Sequence, residues 1–108
     1  MTGKKAEQNK SKKDLEDQLS AKVEKYESLT KKALEEIKLK KDLSQKELSV
    51  AEDFLKMAQN YFNDAKYYKE KGELLISLAA FSYAHAWLDA GVRARLFEAT
   101  DDQLFTLP

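Results

Sequence analysis

Cysteine is absent from these 108 residues, histidine and proline occur once each, and there are only three glycines. Without cysteine, neither a disulfide framework nor a thiolate metal site can form. The single histidine, His85, has Asp89 at i+4 as its helical companion. Even with Asp64 or Glu73 brought alongside, that set does not make a closed metal site. The sequence therefore calls for no metal and no cofactor. Gly3, Gly72 and Gly91 are scattered, so there is no glycine-rich phosphate loop. No apolar run approaches the ~20 residues of a membrane helix. An excess of charge is also missing: 19 basic residues balance 19 acidic ones, which removes the overall field expected of a nonspecific nucleic-acid binder. The basic start MTGKKAEQNKSKK leads into DLEDQ and not into an apolar stretch, so it does not read as a secretory signal, and a cytoplasmic location is expected.

What is present is helical patterning. The most apolar stretch is Glu73–Phe97, where the only polar side chains between Leu74 and Leu88 are Ser77, Ser82, Tyr83 and His85. No face of a helix built from it would favour water, so it is expected to be the central helix, covered on most sides. Residues 1–11 have no apolar side chain larger than Ala6 after Met1, and are expected to form a flexible basic leader. A cap at Ser11 with Asp14 then opens a first helix. Its residues Leu15, Leu19, Val23, Tyr26, Leu29, Ala33, Leu34 and Ile37 share an arc of about 140°. The turn is expected near 40–48, where Ser44 with Glu47, or Ser49 with Glu52, fits a Ser-x-x-Glu cap.

The second helix carries two adjacent stripes. One is Leu48, Ala51, Leu55, Ala58, Phe62 and Ala65; the other is Val50, Phe54, Met57, Tyr61 and Tyr68. Together they cover about half the circumference, enough to touch two neighbours. Lys69, Lys71 and Gly72 form a C-terminal signature in which Gly72 takes the left-handed position. The link to the third helix is then short, so helices 2 and 3 form a hairpin. Helix 3 fades after Gly91, and Leu104, Phe105 and Leu107 are expected to fold back onto the body. The fold expected is an all-α, antiparallel up-down-up three-helix bundle: one domain over residues 12–108, behind the leader and with the C-terminal tail folded back.

The spacing of Tyr61, Asp64, Ala65, Tyr68, Lys71-Gly72, Ser82-Tyr83-Ala84-His85 and Leu88-Asp89-Ala90 resembles an archaeal family of unknown function, catalogued as domain of unknown function number three-five-seven. The resemblance runs from about residue 50 to the C-terminus, with Ala86 standing where that family usually has glycine. It implies a helical bundle in an archaeal cytoplasm and brings no activity with it. The RNA-cleaving HEPN-type bundles have an Arg a few residues before the His of their last long helix. Here Arg93 and Arg95 follow His85, so at most the bundle shape is shared.

Ser82, His85 and Asp89 share one helix face, but on one straight helix they cannot present a nucleophile, base and orienter beside an oxyanion hole, and no enzyme is expected. The candidate site is a polar seam or binding cleft formed by Tyr83, His85, Asp89 and Arg93. Asp89 is expected to pair with Arg93, and Tyr61, Tyr68 or Tyr83 to supply hydroxyl partners. Lys31, Lys32, Lys38, Lys40 and Lys41 could touch phosphate, although Glu35 and Glu36 interleave with them and no aromatic is there to stack a base. The expected function is a noncatalytic protein-interaction or scaffold module with an unknown protein partner, or a homodimer through helix 1. The alternatives are a nucleic-acid-associated accessory protein and a small-molecule-binding bundle.

Overall fold

The computed structural model describes residues 2–108, with side chains described from residue 11 onward. Three helices make up the body: α1 (Thr2–Glu36), α2 (Gln45–Glu70) and α3 (Leu74–Arg93). A two-residue antiparallel pair, β1 (Lys38–Leu39) and β2 (Phe97–Glu98), joins the segments that follow α1 and α3. The expected three-helix bundle is what forms, and each boundary has a local cause.

α2 begins at the first of the two candidate serines. The Ser44 hydroxyl accepts from the Glu47 N–H at 3.1 Å, and the Glu47 carboxylate accepts from the Ser44 N–H at 3.1 Å, closing a capping box. The Ser44 backbone N–H, and then its hydroxyl, hold the Glu47 carboxyl below its ordinary value. At the other end Gly72 has φ +77, its N–H bonds to the Lys69 carbonyl, and the Glu73 N–H bonds to that of Tyr68, a complete Schellman motif. α3 ends in the same way, with the Leu96 N–H on the Gly91 carbonyl and the Arg95 N–H on that of Val92. There the left-handed position is filled by Arg95, at φ 62, a conformation that costs a non-glycine residue about 1 kcal/mol. Nothing in the residue type announces it.

α1 starts at Thr2, ahead of the Ser11 cap expected for it. Lys, Ala, Glu and Gln between Gly3 and Ser11 are good helix formers with no proline among them, so the backbone can carry the helix beyond its packed part. The expected leader falls mainly on residues whose side chains lie outside the described residues. At about 1.5 Å per residue α3 is roughly 30 Å long, whereas the long dimension of the molecule is 68 Å. α1 therefore projects past the hairpin, and Leu15 on the projecting part is exposed.

The core has two parts. Val23, Ala65, Ala80 and Phe81 form the one near the α2–α3 turn, with the Phe62 and Phe81 ring centroids 5.5 Å apart. The larger part gathers Ala33, Ala51, Ala58, Leu88, Val92, Leu96, Phe97, Leu104 and Phe105. Ala51, Ala58 and Ala65 put a fully buried small-residue strip on α2, which lets α3 approach closely, and the Ser77 hydroxyl bridges to the Ala65 carbonyl at 2.7 Å. The tail folds back as expected: Asp101 starts its turn by accepting from the Gln103 N–H at 2.9 Å, and Leu104 and Phe105 are buried. Gly91 is where β2 meets α3, because a Cβ there would overlap Cδ2 and Cε2 of the buried Phe97 ring.

The cover over α3 is less complete than its composition predicts. Leu75, Ile76 and Tyr83 are 72%, 47% and 58% exposed, and Ala79, Ser82, Ala86 and Ala90 on the same side are exposed as well. The aromatic stripe of α2 is likewise not roofed by a helix. Phe54 and Tyr61 lean on Trp87 and Tyr83 of α3, Met57 and Tyr68 are half-buried, and Val50 is exposed. α1 packs on the opposite side of the hairpin, where Lys69 reaches Glu24 and Glu27.

Candidate functional site

The predicted seam divides. His85, Asp89 and Arg93 stand i, i+4, i+8 along one side of α3, and each binds the C-terminal tail. The Leu104 carbonyl can only accept, so His85 Nε2 carries the proton it donates there at 2.5 Å. In the neutral ring Nδ1 is then an acceptor for the Thr30 hydroxyl of α1, 3.2 Å away, and the Phe81 carbonyl lies 3.5 Å from that hydroxyl. The Phe105 ring lies beside the imidazole, with centroids 6.2 Å apart. One turn on, Asp89 Oδ1 accepts from the Thr106 N–H at 2.9 Å. One turn further, Arg93 Nη1 donates to the Leu107 carbonyl at 2.9 Å.

The expected Asp89–Arg93 ion pair does not form, because both side chains reach past each other to the tail backbone. The tyrosines are not the hydroxyl partners either; the partner is Thr30, a buried residue that the apolar stripe of helix 1 passed over. Tyr83 leaves the seam altogether. It sits on the other side of α3, its ring 5.5 Å from that of Tyr61. With its groups engaged by Thr30 and the tail, the three-residue seam has the form of a clasp, and among the described residues no buried side-chain nitrogen or oxygen lacks a partner.

The other candidate surface is the one holding Tyr83. Ile76, Ala79, Tyr83, Ala86 and Ala90 recur at spacings of three and four, the a/d rhythm of a coiled-coil seam. Beside them, Val50, Phe54, Met57, Tyr61 and Tyr68 of α2 follow the same rhythm, with Asp64 at one a/d position. On α3 the strip carries no charge until Arg93. The sequence places the apolar residues of these strips in the interior and Tyr83 in the seam; their three-four spacing is legible there, but not that no helix among the described residues covers them.

Charged features are mixed in sign. Lys40, Lys41 and Arg95 border a cleft of about 350 Å³ that Asp42, Glu47 and Glu98 also line. Between α1 and α2, the Lys69 ammonium lies 2.7 Å from Glu24 and 2.6 Å from Glu27. The bond to Glu24, and then that to Glu27, raises its pKa above the usual lysine value. Among the described residues no group of three or more His, Cys, Asp or Glu side chains is placed to hold a metal, and no helix is long and apolar enough to cross a membrane.

Compared with known proteins, residues 25–97 match a family model described as "Protein of unknown function (DUF357)". The match takes in the last third of α1, β1, all of α2 and α3, and the start of β2. No curated protein and no solved structure matches the chain.

Proposed function

Since the chain belongs to the DUF357 family, which carries no assigned activity, we propose from the structure's own surfaces that it is a noncatalytic protein-interaction module whose contact surface is the outer face of the α2–α3 hairpin. The observation that supports this is the uncharged strip Ile76, Ala79, Tyr83, Ala86 and Ala90, left exposed on the most apolar helix of the chain. Burying such a strip is worth about 25 cal/mol per Å², and contiguous apolar patches on soluble proteins mark interaction sites. Flanking Tyr61 and Trp87 add the aromatic groups that dominate interface energetics. In the same reading the protein works in the cytoplasm of an archaeon, in keeping with the family resemblance.

Nucleic-acid binding has less support. The lysines near the β1 turn share their cleft with Asp42, Glu47 and Glu98, which oppose a phosphate there.

A photo-cross-linking residue at Ala86 tests the proposal, with the same residue at exposed Lys25 of α1 as the control. Adducts from Ala86 and not from Lys25 are expected. Equal yields at the two positions, or none at either, would remove the face as a contact surface.

A further inference from the structure

We infer that the occupant of this face is a second copy of the chain, docked with the two α3 helices antiparallel; the inference rests on the interaction reading above and names the partner. Three features of the strip select a copy of itself. The first is steric. In an antiparallel pair the a positions of one helix meet the d positions of the other, and in the register centred between Tyr83 and Ala86, Tyr83 falls opposite Ala86 of the copy and Ala79 opposite its Ala90. By two-fold symmetry each match occurs twice, placing a large ring over a small residue at the centre and small against small on either side.

The second feature is charge. Arg93 bounds the strip at one end and Glu73 at the other, both exposed. Antiparallel docking lays the Arg93 stem over Ile76 of the copy; with Nη1 kept on the Leu107 carbonyl, the other guanidinium nitrogens lie one turn from the copy's Glu73, an unlike pair formed twice. A parallel arrangement would set Arg93 against Arg93 and Glu73 against Glu73. Between those ends the α3 strip is uncharged, so self-association meets no like-charge penalty along α3, and Asp64 is the one charge at an a/d position of the α2 strip beside it.

The third feature is area. From Ile76 to Ala90 the strip is roughly 22 Å long, and with α2 alongside at the usual 8–10 Å helix spacing the face is about 20 Å wide. That is about 440 Å² per copy and roughly 900 Å² in all, just below the ~1,000 Å² that a stable specific interface clears and in the size class of weak, transient contacts. The dimer is accordingly expected to be reversible, dissociating in the micromolar range. An amphipathic helix from another protein would meet the same apolar strip but would have no reason to match the Arg93–Glu73 pairing.

Sedimentation equilibrium of the full chain from about 5 to 500 µM is the test. The parent should shift from one chain mass to two across that range. Ala86→Glu should weaken association at least tenfold, with unchanged helicity showing that the monomer is folded. Glu73→Arg and Arg93→Glu should each weaken it, and the double swap should restore it; the swap also controls for the Arg93 contact with the tail. A parent that stays at one chain mass overturns the inference, as does a dimer that survives Ala86→Glu but dissociates on Leu15→Glu, which would place the contact on α1. The photo-adduct at Ala86 separates this inference from the reading beneath it. Twice the chain mass supports both, another mass overturns the second copy and leaves the interaction face, and no adduct removes both.

Discussion

The two sides of α3 reverse the usual relation between polarity and burial. On one side His85 and Asp89, with Arg93 at the margin between the two sides, are polar and engaged, each holding a backbone group of the tail segment 104–107. On the other Ile76, Ala79, Tyr83, Ala86 and Ala90 are apolar or aromatic and open. A helix as apolar as Leu74–Leu88 would ordinarily be wrapped, and its few polar residues would ordinarily mark the wet side. Here the wet side is the apolar one, because α1 and the tail approach from the direction of His85. Polar groups on a helix can therefore be clasps for irregular chain, whose backbone needs partners that a helix or strand would satisfy internally. An apolar strip can be left over after the chain's own elements are spent.

This contrast can be broken from the covered side first. Phe105→Ala should have the largest effect, about 3–5 kcal/mol in urea unfolding, since it empties the ring's place in the larger core and leaves His85 without its neighbour. His85→Ala comes next at about 2 kcal/mol, because the Leu104 carbonyl loses its partner and the buried Thr30 hydroxyl keeps only its long bond to the Phe81 carbonyl; Asp89→Ala, which frees one tail N–H, should cost about 1 kcal/mol. If both melt like the parent, the clasp contributes nothing and the polar side of α3 returns as a candidate binding surface.

The helix ends sharpen the comparison, since they set how α3 is presented. Gly72→Val should destabilise by about 1 kcal/mol or more, although the space around the position is open, because the cost is conformational. Arg95→Gly should do the opposite and raise stability by about 0.5–1 kcal/mol, removing the penalty of a side chain at φ 62. A loss at Arg95→Gly would mean that the Arg95 side chain supports the turn by more than its backbone strain costs.

Smaller effects belong to the open side and to α1. Ala79→Lys should change the stability of the monomer, measured below the association range, by less than about 0.5 kcal/mol. The Lys69 contacts predict a modest pH dependence. Its pKa is raised in the folded state, so the stabilisation is fully present below the usual lysine value of 10.5 and is lost as the pH climbs through the raised one. Alkaline titration of unfolding should therefore show a small decline that Lys69→Met abolishes.

Several elements of this structure are legible in the sequence alone, and the reasons differ. The Ser44–Glu47 box, the Gly72 terminus and the return of Leu104 and Phe105 rest on local rules, in which a residue's type and its near neighbours fix the outcome. Arg95 at a left-handed position and the β1–β2 pair were not legible. The first contradicts residue preference, and the second depends on α1 and α3 delivering Leu39 beside Phe97. The seam was half legible. The spacing of His85, Asp89 and Arg93 placed them together, but their partners lie in α1 and the tail, and Tyr83 was grouped with them by proximity in sequence while facing the other way. Periodicity tells which residues share a face, and only the count and length of the remaining elements tells which face is covered.

The division of α3 into a side that holds the fold and a side that holds a partner is tested most directly by the concentration dependence of the thermal midpoint in three proteins. The parent's midpoint should rise with protein concentration as mass action favours the dimer. For His85→Ala the whole curve should lie lower and rise in parallel, whereas for Ala86→Glu it should be flat and meet the parent's at the dilute limit. A flat parent curve, or a slope abolished by His85→Ala and kept by Ala86→Glu, would contradict the division.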